Sequence, residues 1–109
     1  MAAGRLAVLA IGGNALIRDR GHESIPDQYE MVTRIAADIA GMIEAGWNVV
    51  VTHGNGPQVG FILRRSEISI DEVPPVPMDY AGADIQGAVG WMFVRALRNE
   101  FSRRRLRRQ

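Results

Sequence analysis

Apolar runs and amphipathic stretches alternate along the chain. Leu6-Ala7-Val8-Leu9-Ala10-Ile11 is continuously apolar, and Val49-Val50-Val51 is a β-branched run, as buried strands of a parallel sheet are. Between them Tyr29, Val32, Ala36, Ile39, Ala40 and Ile43 recur at helical spacing, which predicts a helix with one buried face and with Asp38 and Glu44 turned outward. Ser24 with Asp27 resembles a capping box, Pro26 falls in the first turn where proline is tolerated, and Gly46 is the natural stop. Strand, helix and strand with short joins form a βαβ unit, whose strands are parallel neighbours.

Each strand runs into a glycine-asparagine turn. The first is Gly12-Gly13-Asn14; the second is His53-Gly54-Asn55-Gly56-Pro57-Gln58, opening a helix expected from Gln58 to the region of residues 68–70. Pro57 removes an amide at a first-turn position where it has no helical partner, and the remaining free N–H groups join the positive end of the helix dipole in a spot suited to an anion. Taken alone, the loop reads equally as a tight strand-to-helix turn with no ligand. Parallel strands change that balance. They bring both turns to the same carboxyl edge of the sheet, where open α/β sheets bind ligands, so two turns far apart in sequence are predicted to be close in space.

Beyond the second helix, Val73-Pro74-Pro75-Val76-Pro77 predicts an extended linker. Asp79 is the expected cap of a last helix with an apolar stripe at Ile85, Val89, Met92, Ala96 and Phe101. Gly82, Gly87 and Gly90 each weaken that helix by about 1 kcal/mol, and are expected to permit close helix packing. Trp47 and Trp91 are expected in the core or at an interface.

Composition narrows the class. A chain of 109 residues is one domain at most, and its 47% hydrophobic content argues against disorder. The absence of cysteine excludes a disulfide framework and thiolate metal sites, and fits a reducing compartment. The run from Leu6 to Ile11 is too short to span a bilayer and lacks the pattern of a signal peptide, so a soluble, cytoplasmic protein without a membrane partner is expected. The net charge of +1 hides an asymmetry, because seven arginines against Glu100 fall within residues 95–109. All thirteen basic residues are arginine. The tail from Ser102 to Gln109 reads as a solvated helix end, a nucleic-acid-binding arm, or the point where a longer chain was cut; lacking interleaved aromatics, it ranks last as a nucleic-acid arm.

Three motifs, Ala10-Ile11-Gly12-Gly13-Asn14-Ala15-Leu16, Val51-Thr52-His53-Gly54-Asn55-Gly56-Pro57-Gln58-Val59-Gly60, and Met78-Asp79 with Gly82-Ala83-Asp84-Ile85-Gln86-Gly87, resemble in that order the N-terminal part of the carbamate kinase family, within the amino acid kinase superfamily. The resemblance implies an α/β fold, a three-layer αβα sandwich with a mainly parallel sheet, apparently truncated here. It implies that residues 1–109 are the phosphoryl-acceptor half of an amino acid kinase domain, with the nucleotide-binding half absent. It also implies an enzyme of arginine metabolism, a homodimer that converts carbamoyl phosphate and ADP to carbamate and ATP, with Mg2+ accompanying ATP/ADP. By matching position, Gly12, Gly13 and Asn14 would be the catalytic donors to the transferred phosphoryl group. Gly54, Asn55 and Gly56, with His53 and Gln58, would form the carbamate side, and no metal ligand is assigned.

Superfamily relatives acting on acetylglutamate, glutamate or UMP typically carry a lysine just before the first Gly-Gly. Ala10 and Ile11 stand there instead, which favours carbamate kinase. Carbamate attacks through an oxygen that is already anionic, so His53 is given a positioning role and not that of a general base. His22 is expected to be solvated, and Gln58 and Asp84 to line the site or simply to pack. Family members are longer, and their phosphoryl-neutralising lysines lie beyond this sequence, so the isolated chain is expected to be inactive. Two other readings follow in rank: a non-catalytic anion-binding or oligomerising half-domain, and a nucleic-acid accessory using the arginine tail.

Overall fold

In the computed structural model, which describes residues 4–107, β1 (Leu6–Ile11) and β2 (Asn48–His53) pair in parallel, with Leu6 opposite Asn48 and Ile11 opposite His53. The βαβ unit is as expected, with the second strand, which the sequence places from Trp47 to Thr52, starting and ending one residue later. The two faces of the sheet differ. Leu9, Ile11, Val49 and Val51 pack against the helices, whereas Leu6 and Val8 are 63% and 62% exposed and Val50 is 46% exposed. Continuous apolar runs suit strands covered on both faces; here the described helices cover one face and leave the other open.

The crossover is α1 (Ile25–Glu44), and its ends form as the sequence dictates. Ser24 caps it, its Oγ accepting from the Asp27 amide at 3.2 Å and donating to Asp27 Oδ2 at 2.7 Å. Gly46, with φ +99°, reverses the chain at the other end. There the Gly46 and Trp47 amides donate to the carbonyls of Ile43 and Met42, each at 3.0 Å, closing a Schellman motif that delivers the chain into β2. Val32, Ala36, Ile39 and Ala40 form the buried face.

Helix α2 (Gly56–Ile68) begins two residues earlier than expected, with Pro57 in its first turn. The proline linker is tied back to it, the Val76 amide donating to Ser66 Oγ at 2.8 Å. Helix α3 (Met78–Arg104) packs on α1 through Ile85, Val89, Met92, Phe93 and Ala96. Two details differ from expectation. Extended Pro77 takes the cap position, its carbonyl accepting from the Ala81 amide at 2.9 Å, so the helix is already under way at Asp79, which makes no cap bond. A Cβ at Gly82, Gly87 or Gly90 would meet nothing within 4 Å, so these glycines mediate no close approach.

Neither tryptophan is buried: Trp91 is exposed, and half-buried Trp47 lies under the Arg5 guanidinium at 5.5 Å. The start of the arginine tail is structural. Arg104 Nε donates to Glu100 Oε2 at 2.8 Å and its Nη2 to the Ala37 carbonyl at 3.1 Å, while Nη1 pairs with Glu44, fastening the end of α3 to α1. Hydrogen bonds from Arg103 and Arg104 hold the Glu100 carboxyl below its ordinary range. Arg108 and Gln109 lie outside the described residues.

Candidate functional site

The two turns meet where the parallel strands end. After β1, Gly12 stays extended, and a 3₁₀ turn, Gly13–Leu16, is anchored from behind by buried Leu16. After β2, the Gly54 amide donates to the Ile11 carbonyl at 2.7 Å. A Cβ at Gly54 would lie 3.2 Å from the Gly13 nitrogen, and one at Gly13 would lie 2.6 Å from Gln58 Oε1 and 2.9 Å from Pro57 Cδ. At Gly13 glycine is required by proximity, and at Gly54 a side chain would press on the Gly13 backbone. The expectation that two turns distant in sequence share one place is met by direct contact.

The donors of this junction follow from its secondary structure. Gly13 and Asn14 open the 3₁₀ turn, and Gly56 and Gln58 open α2, so their amides have no intrahelical carbonyl to meet. The N-terminus of α2 adds its positive dipole end. The Gly54 amide is already engaged with Ile11, so the donors left on this side are the amides of Asn55 and Gly56, with that of Gln58 behind them in the first turn of α2.

His53 is half-buried, and its Nδ1 lies 2.8 Å from the Gly54 carbonyl oxygen. A carbonyl only accepts, so Nδ1 carries the proton, and in the neutral ring Nε2 is left as the acceptor. His53 and Asn55 border an open depression with Asp79, Gly82, Ala83 and Gln86 of α3. The third sequence motif is thereby brought beside the second. Asp84 is not part of it; it borders a separate apolar cavity between α1, α2 and α3 with Tyr29, Phe61 and Trp91.

Gln58 is only 3% exposed, and Gly13 is the other buried residue among the candidates. Its Nε2 donates to the Gly13 carbonyl at 3.0 Å and to Gln28 Oε1 at 3.2 Å. Gln28, also buried, donates in turn to the Glu23 carbonyl at 3.0 Å. Sequence reasoning missed Gln28, although it stands one turn before Val32 on the apolar face of α1, where a polar residue is a signal. His22 bonds Asp19 through Nδ1 at 2.6 Å, and this bond holds the Asp19 carboxyl below its usual range. That pair lies in the polar loop before α1.

Among the described residues no group of three His, Cys, Asp or Glu side chains is placed to hold a metal ion, and no helix is long and apolar enough to cross a membrane. The donor set at the turns consists of amides, which suit an anion.

Comparison with known proteins agrees with this geometry. A carbamate kinase of Pyrococcus horikoshii is 46% identical over 105 residues, covering 94% of this chain and 33% of its own length. A carbamate kinase-like protein of Escherichia coli is 42% identical over 100 residues, covering 90% of this chain and 32% of the other. The structure of Giardia lamblia carbamate kinase bound to AMP-PNP superposes with a TM-score of 0.91 at 34% identity, covering 99% of this chain and 38% of that one. The chain thus spans about a third of the length of the curated relatives it matches. The profile described as the amino acid kinase family matches residues 5–101, and the chain belongs to that family.

Proposed function

We propose that this chain carries the acceptor side of a carbamate kinase site, in which carbamoyl phosphate and ADP give carbamate and ATP. The observation that supports it above others is the contact between the two glycine-asparagine turns, fixed by the bond from the Gly54 amide to the Ile11 carbonyl. Gly12, Gly13 and Asn14 hold the phosphoryl group, the amides of Asn55 and Gly56 hold the carbamate side beside Gly54, and His53 borders that side with its tautomer set by Gly54. Gln58 acts on the site from behind.

In the transfer, an ADP β-phosphate oxygen forms a bond to phosphorus while the bond from phosphorus to the carbamoyl oxygen breaks, and carbamate leaves with the electron pair. Negative charge is spread over the equatorial phosphoryl oxygens, and fixed amide donors stabilise it without reorganising. The residues of this chain do not fit a resident magnesium ion: the turn donors are N–H groups, and the described residues hold no carboxylate or imidazole cluster for one. No metal step therefore falls to them. Nor does the chain contain lysine to neutralise the phosphoryl group. The isolated chain accordingly binds and does not turn over, and in the complete enzyme it works as a cytoplasmic homodimer.

The test is a titration of the 15N-labelled chain with carbamoyl phosphate. Amide shifts concentrated at residues 12–14 and 54–56 support the reading, and shifts confined to other parts of the chain overturn it. ATP formed from carbamoyl phosphate and ADP by the purified chain alone would overturn the assignment of a half-site. The open sheet face of Leu6, Val8 and Val50 favours a second reading, an oligomerising half-domain that binds anions without catalysis. That reading requires the purified chain to self-associate through this face.

A further inference from the structure

We infer that Gln58, braced by Gln28, is a positioning residue that sets the Gly13–Asn14 peptide so that the Asn14 amide faces the bound anion. In a trans peptide the carbonyl of one residue and the N–H of the next point in opposite directions. Gln58 Nε2 holds the Gly13 carbonyl inward at 3.0 Å. The Asn14 N–H is therefore directed outward, on the open side of the turn.

The direction of every bond in this chain is fixed. The carbonyls of Glu23 and Gly13 can only accept, so Gln28 must present its nitrogen to Glu23 and its oxygen to Gln58, which must present its nitrogen to both Gly13 and Gln28. Both hydrogens of the Gln58 amide are engaged, and one rotamer is held. Gln58 Oε1 is buried with no partner. An unmet buried acceptor is a penalty that methionine or leucine at the same place would not carry, so packing alone does not account for a glutamine; its donor end does. The same oxygen lies 2.6 Å from where a Gly13 Cβ would be, so Gly13 and Gln58 form a matched pair.

Gln58 thus acts through Gly13 and does not touch the ligand. The inference rests on the anion-binding role proposed for the turns, and its test separates the two. The 15N-labelled chain is titrated with inorganic phosphate while the amides of Asn14, Asn55 and Gly56 are followed. In Gln58→Met, which keeps the volume and removes the donor, the apparent affinity common to all three amides is expected to fall by about tenfold, and the Asn14 shift at saturating phosphate to shrink several-fold relative to the saturating shifts of Asn55 and Gly56. An unchanged relative Asn14 shift overturns the inference and leaves the proposed function standing, as does a parallel shrinkage of all three saturating shifts, the mark of general loosening. Absence of any response at either turn in the parent chain overturns both. Should Gln58→Met fail to fold, Gln28→Met decides: it removes the acceptor that orients the Gln58 amide, so the Asn14 shift is expected to shrink while Asn55 and Gly56 still respond. An unchanged Asn14 shift in Gln28→Met overturns the inference.

Discussion

Replacing Gly13 by alanine tests the contact on which the site depends. The added Cβ would stand 2.6 Å from Gln58 Oε1, 2.9 Å from Pro57 Cδ and 3.1 Å from the Gly56 nitrogen. Neither the proline ring nor the helical backbone can give way alone, and the Gln58 side chain is held by two hydrogen bonds, so relief requires the turn and α2 to separate. Overpacking of this kind costs about 1–3 kcal/mol, and losing the bond to the Gly13 carbonyl about 1 kcal/mol more. The expected loss is about 2–4 kcal/mol, a large share of the 5–15 kcal/mol typical of a domain. Gly12→Ala is the internal control: Gly12 is extended, and a Cβ there would meet nothing within 4 Å. Urea unfolding of both variants, followed by far-UV circular dichroism, should show a large drop in midpoint for Gly13→Ala and a small one for Gly12→Ala at similar slope. Equal midpoints would refute the claim that the first turn is pressed against α2.

Gly46→Ala tests a different use of glycine. At φ +99° with no neighbour within 4 Å the demand is conformational, and a loss of about 1–2 kcal/mol is expected, less for asparagine, measured by thermal unfolding. The faces of the sheet make opposite predictions for valine to threonine: about 1 kcal/mol lost for Val51→Thr, which packs on the core, and within about 0.5 kcal/mol for Val50→Thr, with the reverse order in denaturation refuting the register. Glu100 gives the chain a pH dependence. Its folded carboxyl titrates below its unfolded value because Arg103 and Arg104 bond it, so the unfolded state binds more protons across that window. This stability is complete above the ordinary glutamate value of about 4.3 and is lost as pH falls through the folded value. Glu100→Gln should lower stability at neutral pH and flatten its decline in acid; an unchanged acid slope would show that the pair is not coupled to folding.

With one exception, what could be read from the sequence was local. The helical spacing of Val32, Ala36, Ile39 and Ala40 and the cap at Ser24 depend on neighbours within a turn, and the structure repeats them. The meeting of the turns was legible for a topological reason, since parallel strands leave no other place for the two loops. The start of α3 was misjudged because Asp79 has the chemistry of a cap, while Pro77 has the backbone geometry. The glycines of α3 suggested a close crossing, but the helix approaches its neighbours through other residues. The glutamine pair stayed hidden because Gln28 and Gln58 are 30 residues apart, and Gln58 and Gly13 are 45. No local rule connects amides across such separations. Arg104 was hidden likewise, its partners Glu44 and Ala37 lying 60 and 67 residues away.

The parallel pairing of β1 and β2 also orders events in time. A two-residue hairpin cannot join such strands, so the pairing must await a crossover that brings their ends together. The 20-residue α1 contracts that path to about 30 Å, and the Schellman turn at Gly46 sends the chain back alongside β1. Helical contacts form within about a microsecond, long-range parallel pairing much later. Both glycine-asparagine turns lie past the strands that must pair first, so the junction proposed to bind an anion is completed at the end of folding. An anion bound there favours the fully zipped state over every partly folded one. Phosphate in a refolding buffer should therefore leave the early helical phase unchanged and slow the reopening of the strands.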